Sequence, residues 1–310
     1  MKAWFLKLHR WMALLFALPL AFVLFSGLIL SFEPWLVVRS IEPGSLTAGK
    51  VQGWLGQHDP GGQARALVYR SYDRTLTISA GRGGGTVVDA VTGQALPGPT
   101  GLANSLVSVR RLHEALLIDA GWLVLSSTVA MPALALLGVL MGLPRITNTL
   151  PGWHKAIAWG LLPLIVLSPL TALFMASGIT FATPPPAAAP AQGARLTLAE
   201  AVRIVGERHD LSALVWMRPL GGRLAARLVE GGEYRLYAVT REGTSAMPRN
   251  WPRLWHEGNF AGSWSAAMNV VASVAMIGLL VTGPWIWLRR QLRRRGLAGA
   301  LPEVRRSQPE

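Results

Sequence analysis

The sequence predicts an integral membrane α-helical protein, with four transmembrane helices in two parallel repeats and two small α+β modules on the outer side of the membrane. Three observations lead there. Hydrophobic residues make up 51% of the chain and charged residues only 15%, a membrane rather than a soluble composition. Apolar runs recur at 11–32, 116–143, 156–181 and 264–288, charged only at Asp119. Each exceeds the roughly 20 residues that cross about 30 Å of hydrocarbon at 1.5 Å rise. Finally, similar short strings stand at the span edges of both halves: "LHRW" and "WHKA" open the first and third spans, while "LHEA" and "WHEG" precede the second and fourth.

Residues 1–32 hold the first span. A basic start followed by an apolar run is also what a signal peptide shows, but this run is too long and "SFEPWLVV" offers no small-x-small cleavage site, so it is expected to stay as a span. Residues 33–112 form the first module, where "ALVYRSYDRTLTISA" and "TVVDAVTGQAL" alternate as strands around a Gly-rich turn at 81–85. "GRGGG" is a turn and not a phosphate cradle, because no helix start or Lys-Ser/Thr follows it. Residues 113–181 carry the second and third spans with a short connection. Prolines in these spans are tolerated because neighbouring helices satisfy the freed carbonyls.

Residues 182–255 form the second module, joined through a proline-stiffened linker, "TPPPAAAPAQGA", at 183–194. "TLAE" at 197–200 has capping-box spacing, and Leu198, Ala201, Val202 and Val205 then make one apolar face of a helix running to about His209. Alternating strands follow in "RLAARLVEGGEYRLYAVTREGTSAM", punctuated at Gly231-Gly232 and Glu242-Gly243. Residues 256–290 are the fourth span, and 291–310 a basic tail. Gly138, Gly142, Gly278 and Gly283 allow close helix approach and need no chemistry to explain them.

Basic residues near the span ends set the expected orientation. Lys2, Lys7 and Arg10 precede the first span, Arg145 and Lys155 lie between the second and third, and five arginines between 289 and 295 follow the fourth. Both termini are therefore expected in the cytoplasm, in a multi-pass protein whose modules lie outside. The net charge of +14 is then divided between a tail beside anionic lipid and an outer surface that attracts acidic ligands; it does not argue for nucleic acid. Cysteine is absent. That excludes C-x-x-C-H haem attachment, iron–sulfur clusters, thiolate zinc sites and disulfides, so any cofactor must be held by His, Met or oxygen.

Four of the six histidines sit at span edges and pair by repeat: His9 with His154 on the inner face, His113 with His256 on the outer. Parallel repeats pack about an axis along the membrane normal, which puts each pair at a common depth. One interfacial histidine serves mostly as an anchor, and His58 and His209, inside the modules, keep that structural role. The tryptophans at 4, 11, 122, 153, 159, 264, 285 and 287 form interfacial belts first and cofactor walls second, and Met131, Met175, Met268 and Met276 are packing residues before they are ligands. Two facing imidazoles at the end of a helical bundle suit non-covalent haem of the b type, which needs only two axial nitrogens and an apolar slot. Zinc or copper would want further ligands, and Glu114 and Glu257, each adjacent to a histidine, point to a different side of the helix. Arg10, Arg110, Arg111 and Arg253 are candidate propionate partners, with headgroup contact as the alternative.

Those residues carry a resemblance. "LHRWMALLFALPLAFVLFSGLILSF", "RLHEALL", "LPGWHKAIAW", "LTLAEAV…YRLYAVTREG" and "HEGNF" with "GLLVTGPWIWLRR" are similar in order and spacing to the PepSY-associated transmembrane helix proteins of bacterial inner membranes, which include haem-containing ferric-siderophore reductases. The second span departs from the pattern in ending "GVLMGLPR", and the first module resembles a PepSY module only loosely. The resemblance implies two b-type haems in four helices, with His9, His154, His113 and His256 as axial ligands to iron. It further implies electron delivery outward to a ferric siderophore with release of Fe(II), fed by a cytoplasmic or quinol donor. A non-enzymatic PepSY sensor or protease-regulating membrane protein is the alternative. A metal or siderophore transporter subunit would carry charged or broken-helix sites at an otherwise apolar midplane. One geometric difficulty attends the reductase: His113 lies about 30 residues before the inner end of the second span, roughly 45 Å along a straight helix, so the two haem levels stand far apart unless tilt, Pro132 and inward-reaching macrocycles shorten the gap; otherwise a third cofactor or an intermediate aromatic is needed.

Overall fold

The computed structural model describes residues 2–81, 84–143, 145–182 and 196–299. The proline-rich linker at 183–194 and the end of the basic tail lie outside the described residues, as do positions 82–83 of the Gly-rich turn.

The chain begins with α1 (Lys2–Leu15) and α2 (Ala17–Leu30), which meet at Phe16 without losing the helical ladder: Phe16 N–H reaches the Met12 carbonyl at 3.1 Å and Leu20 N–H the Phe16 carbonyl at 3.0 Å. Pro19 explains the break, since it has no N–H for the Leu15 carbonyl. After a short turn α3 (Glu33–Ser40) extends the run, and Ala17–Ser40 is long and apolar enough to cross a membrane. In the second half α7 (Leu150–Gly160) and α8 (Leu162–Ala176) meet at Leu161 with a bend of 62°. Pro163 is the matching cause, having no N–H for the i→i−4 bond to the Trp159 carbonyl, which takes a backbone N–H at the helix cap instead. This is a broken helix where continuous apolar sequence predicts a plain span, although the break carries no charged side chain.

The other two spans are preceded by separate short helices. Between α5 (Gly101–Ala115) and α6 (Gly121–Leu140), Leu116, Leu117 and Asp119 all adopt positive φ. Between α10 (Trp251–Glu257) and α11 (Ser263–Gly299), Gly258 and Gly262 do so. The second span therefore starts at Gly121 and not at 116, because the apolar count does not register a reversal of backbone direction. Gly121–Leu140 and Ser263–Arg295 are long enough to span, which makes three such helices among the described residues, or four if the bent α7–α8 pair counts as one.

Packing repeats across the halves. α5 lies on α2 as α10 lies on α8, α1 on α6 as α7 on α11, and α2 on α11 as α8 on α6. Between the two ends of the bundle the core is apolar, with Leu24, Ile165, Ala272 and Met276 buried and Met131 against them. Trp4, Trp11, Trp122, Trp153, Trp264 and Trp285 are exposed on its surface.

Each half also contributes a helix and a four-stranded meander: α4 (Ala48–His58) with β1 (Ala66–Arg70), β2 (Thr75–Gly81), β3 (Gly84–Asp89) and β4 (Ala95–Leu96), and α9 (Leu198–Gly206) with β5 (Leu214–Leu220), β6 (Arg223–Glu230), β7 (Glu233–Thr240) and β8 (Gly243–Ala246). The first module thus shares the element order of the second. The two join into one antiparallel sheet of order β4-β3-β2-β1-β5-β6-β7-β8, with Leu67 opposite Met217 and Val68 opposite Trp216. Joining β1 to β5 removes two sheet edges that would otherwise stay unpaired. α4 and α9 cover one face over a shared core that includes Val51, Leu67, Val202 and Met217, all fully buried. The Thr197–Glu200 capping box starts α9 as its spacing predicts. The opposite face sits on the bundle, where Val229 and Tyr234 pack against Val37 of α3 and Leu254 of α10.

Candidate functional site

His113 and His256 lie near the ends of α5 and α10, under the sheet. Their ring centres are 6.1 Å apart at an interplanar angle of 41°. Each is held by the neighbouring span of its own half. His113 Nδ1–H donates to the Val23 carbonyl at 3.0 Å with the Ser26 hydroxyl at 3.1 Å, and His256 Nδ1–H donates to the Ser168 carbonyl at 3.1 Å with the Thr171 hydroxyl at 3.4 Å. The two anchors are repeat equivalents: Val23 and Ser26 stand at the same offsets from His9 as Ser168 and Thr171 do from His154. Both hydroxyls donate to carbonyls one turn back, Ser26 to Phe22 and Thr171 to Leu167, so toward the rings they act as acceptors. Close approach of α5 depends on Gly27, where a Cβ would stand 3.1 Å from His113 Cε1.

At the far end His9 Nδ1–H donates to the Leu134 carbonyl at 3.1 Å, and His154 Nδ1 meets the Thr282 hydroxyl at 2.7 Å. These two contacts are not repeat equivalents, since Leu134 follows Trp122 more closely along its span than Thr282 follows Trp264.

A carbonyl can only accept, so its partner nitrogen must carry the proton. Nδ1 is therefore protonated in His9, His113 and His256, and Nε2 is left with its lone pair. Nε2 of the four histidines makes no hydrogen bond among the described residues. This is the state in which imidazole ligates a metal, with the second nitrogen's proton held by an outer partner. Two imidazole nitrogens about 2 Å either side of one ion set ring centres about 6 Å apart, which is the spacing of the sheet-side pair. Among the described residues no three His, Asp or Glu side chains converge on a point. On the sheet side the donor set is thus two imidazoles, which fits the axial requirement of haem.

The carboxylate next to His256 is committed elsewhere. Glu257 bonds Arg227 at 2.5 Å, Arg253 at 2.9 Å and Asn259 at 2.8 Å. Burial opposes its charge, but Arg227 and Arg253 outweigh that and hold the carboxyl down to about 2. The arginine candidates divide accordingly. Arg253 already has Glu257 and Arg110 has Glu33, Arg111 lies on the exposed side of α5, and Arg10 has a buried Nε with no hydrogen-bond partner, next to His9. Of these four candidates, Arg10 alone keeps an unanswered buried donor for an acidic group. His58 and His209 tie their modules together, through the Gly93 carbonyl and through Glu230 and Thr244 respectively.

Ser26, Thr171, Thr282, Arg227 and Asn259 do not stand out in the sequence. A hydroxyl at one shared offset from each inner histidine is the available signal for the first two; Arg227, on a strand far from α10 in sequence, offers none. The separation of the two levels also differs from expectation. Because His113 belongs to α5 and not to the second span, the expected wide gap between the histidine levels disappears. On α11, Asn269 donates to the His256 carbonyl at 2.7 Å and Thr282 bonds His154. The stretch of helix between Asn269 and Thr282 rises about 20 Å.

The chain matches the family model of the PepSY-associated TM region over residues 6–290 and belongs to that family. It is accordingly a membrane protein of the PepSY-associated class. No curated protein matches it significantly.

Proposed function

We propose that this protein is a di-haem b reductase of the bacterial inner membrane, with both termini cytoplasmic, which carries electrons outward to a ferric siderophore and releases Fe(II). The observation that carries this is the sheet-side histidine pair: two rings from opposite halves, 6.1 Å apart, each with Nδ1–H donated to a helix carbonyl. Interfacial anchors have no reason to face one another at that distance with the same nitrogen turned away.

When bound, haem supplies a one-electron couple at each level. The protein's own part is to hold it. His113 and His256 offer Nε2 at the periplasmic end, and His9 and His154 do so at the cytoplasmic end. The carbonyls of Leu134, Val23 and Ser168 keep three of these rings in the ligating tautomer. Arg10 stands ready for a propionate at the cytoplasmic level. The sheet packs on the bundle through Val229 and Tyr234 against Val37 of α3 and Leu254 of α10, the helix that carries His256. A ferric chelate is too large to enter the bundle, so reduction takes place at this lip, one electron converting each Fe(III) to Fe(II). A quinol or a cytoplasmic reductant supplies the electron at the other end.

The test is spectroscopic first. Purified protein should show a Soret band and α/β bands on dithionite reduction, with two haems per chain by pyridine haemochrome. Adding a ferric siderophore to the reduced protein should reoxidise it, with Fe(II) trapped by ferrozine. Protein that carries no haem would return the histidines to anchoring and favour a non-enzymatic PepSY membrane regulator.

A further inference from the structure

Three of the four span-edge histidines give their Nδ1–H to a main-chain carbonyl, which no side-chain substitution removes: His9 to Leu134, His113 to Val23 and His256 to Ser168. His154 is different. Its Nδ1 partner is the Thr282 hydroxyl at 2.7 Å, and that hydroxyl lies 2.6 Å from the Gly278 carbonyl. A hydroxyl has one proton and two acceptor lone pairs. With the proton given to Gly278, which can only accept, the oxygen faces His154 as an acceptor and Nδ1 must be the protonated nitrogen. No other hydrogen bond holds the His154 ring among the described residues. The next residue on α11, Gly283, brings only backbone near Cε1, where an added Cβ would sit at 3.6 Å.

We propose that Thr282 is the positioning residue of the inner haem: its hydroxyl alone fixes the His154 tautomer that leaves Nε2 free to ligate, so one axial ligand of one haem depends on a single side chain. The inference rests on the di-haem reading. The chain from His154 N–H through the Thr282 O–H to the Gly278 carbonyl is a polarised one, each bond strengthening the next. Outer partners of this kind orient a ligating imidazole and raise its basicity. Without the acceptor, a buried N–H is left unanswered, and the ring relieves it by turning or by moving the proton to Nε2, which then cannot ligate.

Thr282→Val keeps the shape and the helix ladder, because the Gly278 carbonyl still receives the main-chain N–H of residue 282, while removing only the acceptor. The measurements are haem per chain by pyridine haemochrome and a potentiometric titration of both haems, neither requiring turnover. Thr282→Val should lose about half the haem, or keep both haems with one of the two waves moved to higher potential. Thr282→Ser should restore wild-type values. Ser26→Ala and Thr171→Val should leave the outer wave in place, because the Val23 and Ser168 carbonyls remain. Wild-type protein with two haems, combined with a Thr282→Val variant unchanged in content and in both potentials, overturns the assignment while leaving the di-haem reading intact. The assignment also fails if Thr282→Ser behaves like Thr282→Val, or if Ser26→Ala or Thr171→Val moves the outer wave as much. Wild-type protein without haem overturns both.

Discussion

The two halves of this molecule hold their sheet-side histidines in the same way and turn into the following span in different ways. In both, the ring sits near the end of a short helix and gives Nδ1–H to a carbonyl at the same offset from the half's first histidine. The turn that follows uses Leu116, Leu117 and Asp119 at positive φ in one half and Gly258 and Gly262 in the other. Left-handed backbone costs a leucine roughly 1 kcal/mol or more and a glycine almost nothing. The helix terminus presenting histidine is therefore the retained feature, and each half makes the turn with whatever residues it has.

The largest effects should separate the two histidine levels. His113→Ala or His256→Ala should remove one haem and abolish reoxidation by a ferric chelate while the inner haem stays reducible; His9→Ala or His154→Ala should remove the other. Pyridine haemochrome should read about half in each case, and full retention in all four variants would reject the ligand assignment and return these residues to anchoring.

Next comes an asymmetry in charge. Arg227 and Glu257, with side chains 12% and 20% exposed, form a largely buried pair in the second half, whereas in the first half Glu33 is equally covered but its partner Arg110 is 44% exposed. Glu257→Gln leaves the Arg227 charge unanswered and should cost about 3–5 kcal/mol, against at most about 1 kcal/mol for Glu33→Gln. Thermal unfolding in detergent measures both, and equal losses would remove the contrast.

The same carboxylate gives a pH signature. Its value of about 2 lies below the ordinary 4.5, so its stabilisation is complete above 4.5 and is lost as pH falls toward 2. Wild-type melting temperature should decline across that window by more than that of Glu257→Gln; parallel profiles would show that Glu257 is not the group responsible.

The smallest effects concern the turns. Gly258→Ala introduces a Cβ 2.7 Å from Asn269 Nδ2 and 2.9 Å from the Ser265 carbonyl at a φ of 66°, and should destabilise. Leu116→Gly, at a φ of 53°, should be neutral or stabilise by up to about 1 kcal/mol. A destabilised Leu116→Gly would mean that its side chain packs for more than the backbone strain costs.

Composition, span-length apolar runs and the His-bearing strings at their edges are enough to identify a membrane protein of two repeats and to mark four of its histidines, because those signals are local and survive any packing. The capping box at Thr197 and the strand alternation of the second module are legible for the same reason. Less is legible where the backbone changes direction. Leu116, Leu117 and Asp119 have no local preference for positive φ, so an apolar count extends the second span to 116 and sets His113 at its lip. The apparent gap between the histidine levels comes from that extension. Nor does apolar periodicity distinguish a straight third span from one bent at Leu161, although Pro163 is in view.

The membrane class, the repeat, the elements of each module and the identity of the histidines at the ends of the bundle are thus written locally in the chain. Packing settles the rest: the two modules share one sheet through β1 and β5, which come from opposite halves of the chain. It also brings His113 and His256 face to face at 6.1 Å and leaves His154 alone dependent on a side-chain hydroxyl. The reason is physical. Periodicity and composition act over one helix turn or one strand, whereas strand pairing, ring separation and the choice of hydrogen-bond acceptor are set by how surfaces distant in the chain are brought together when the halves pack.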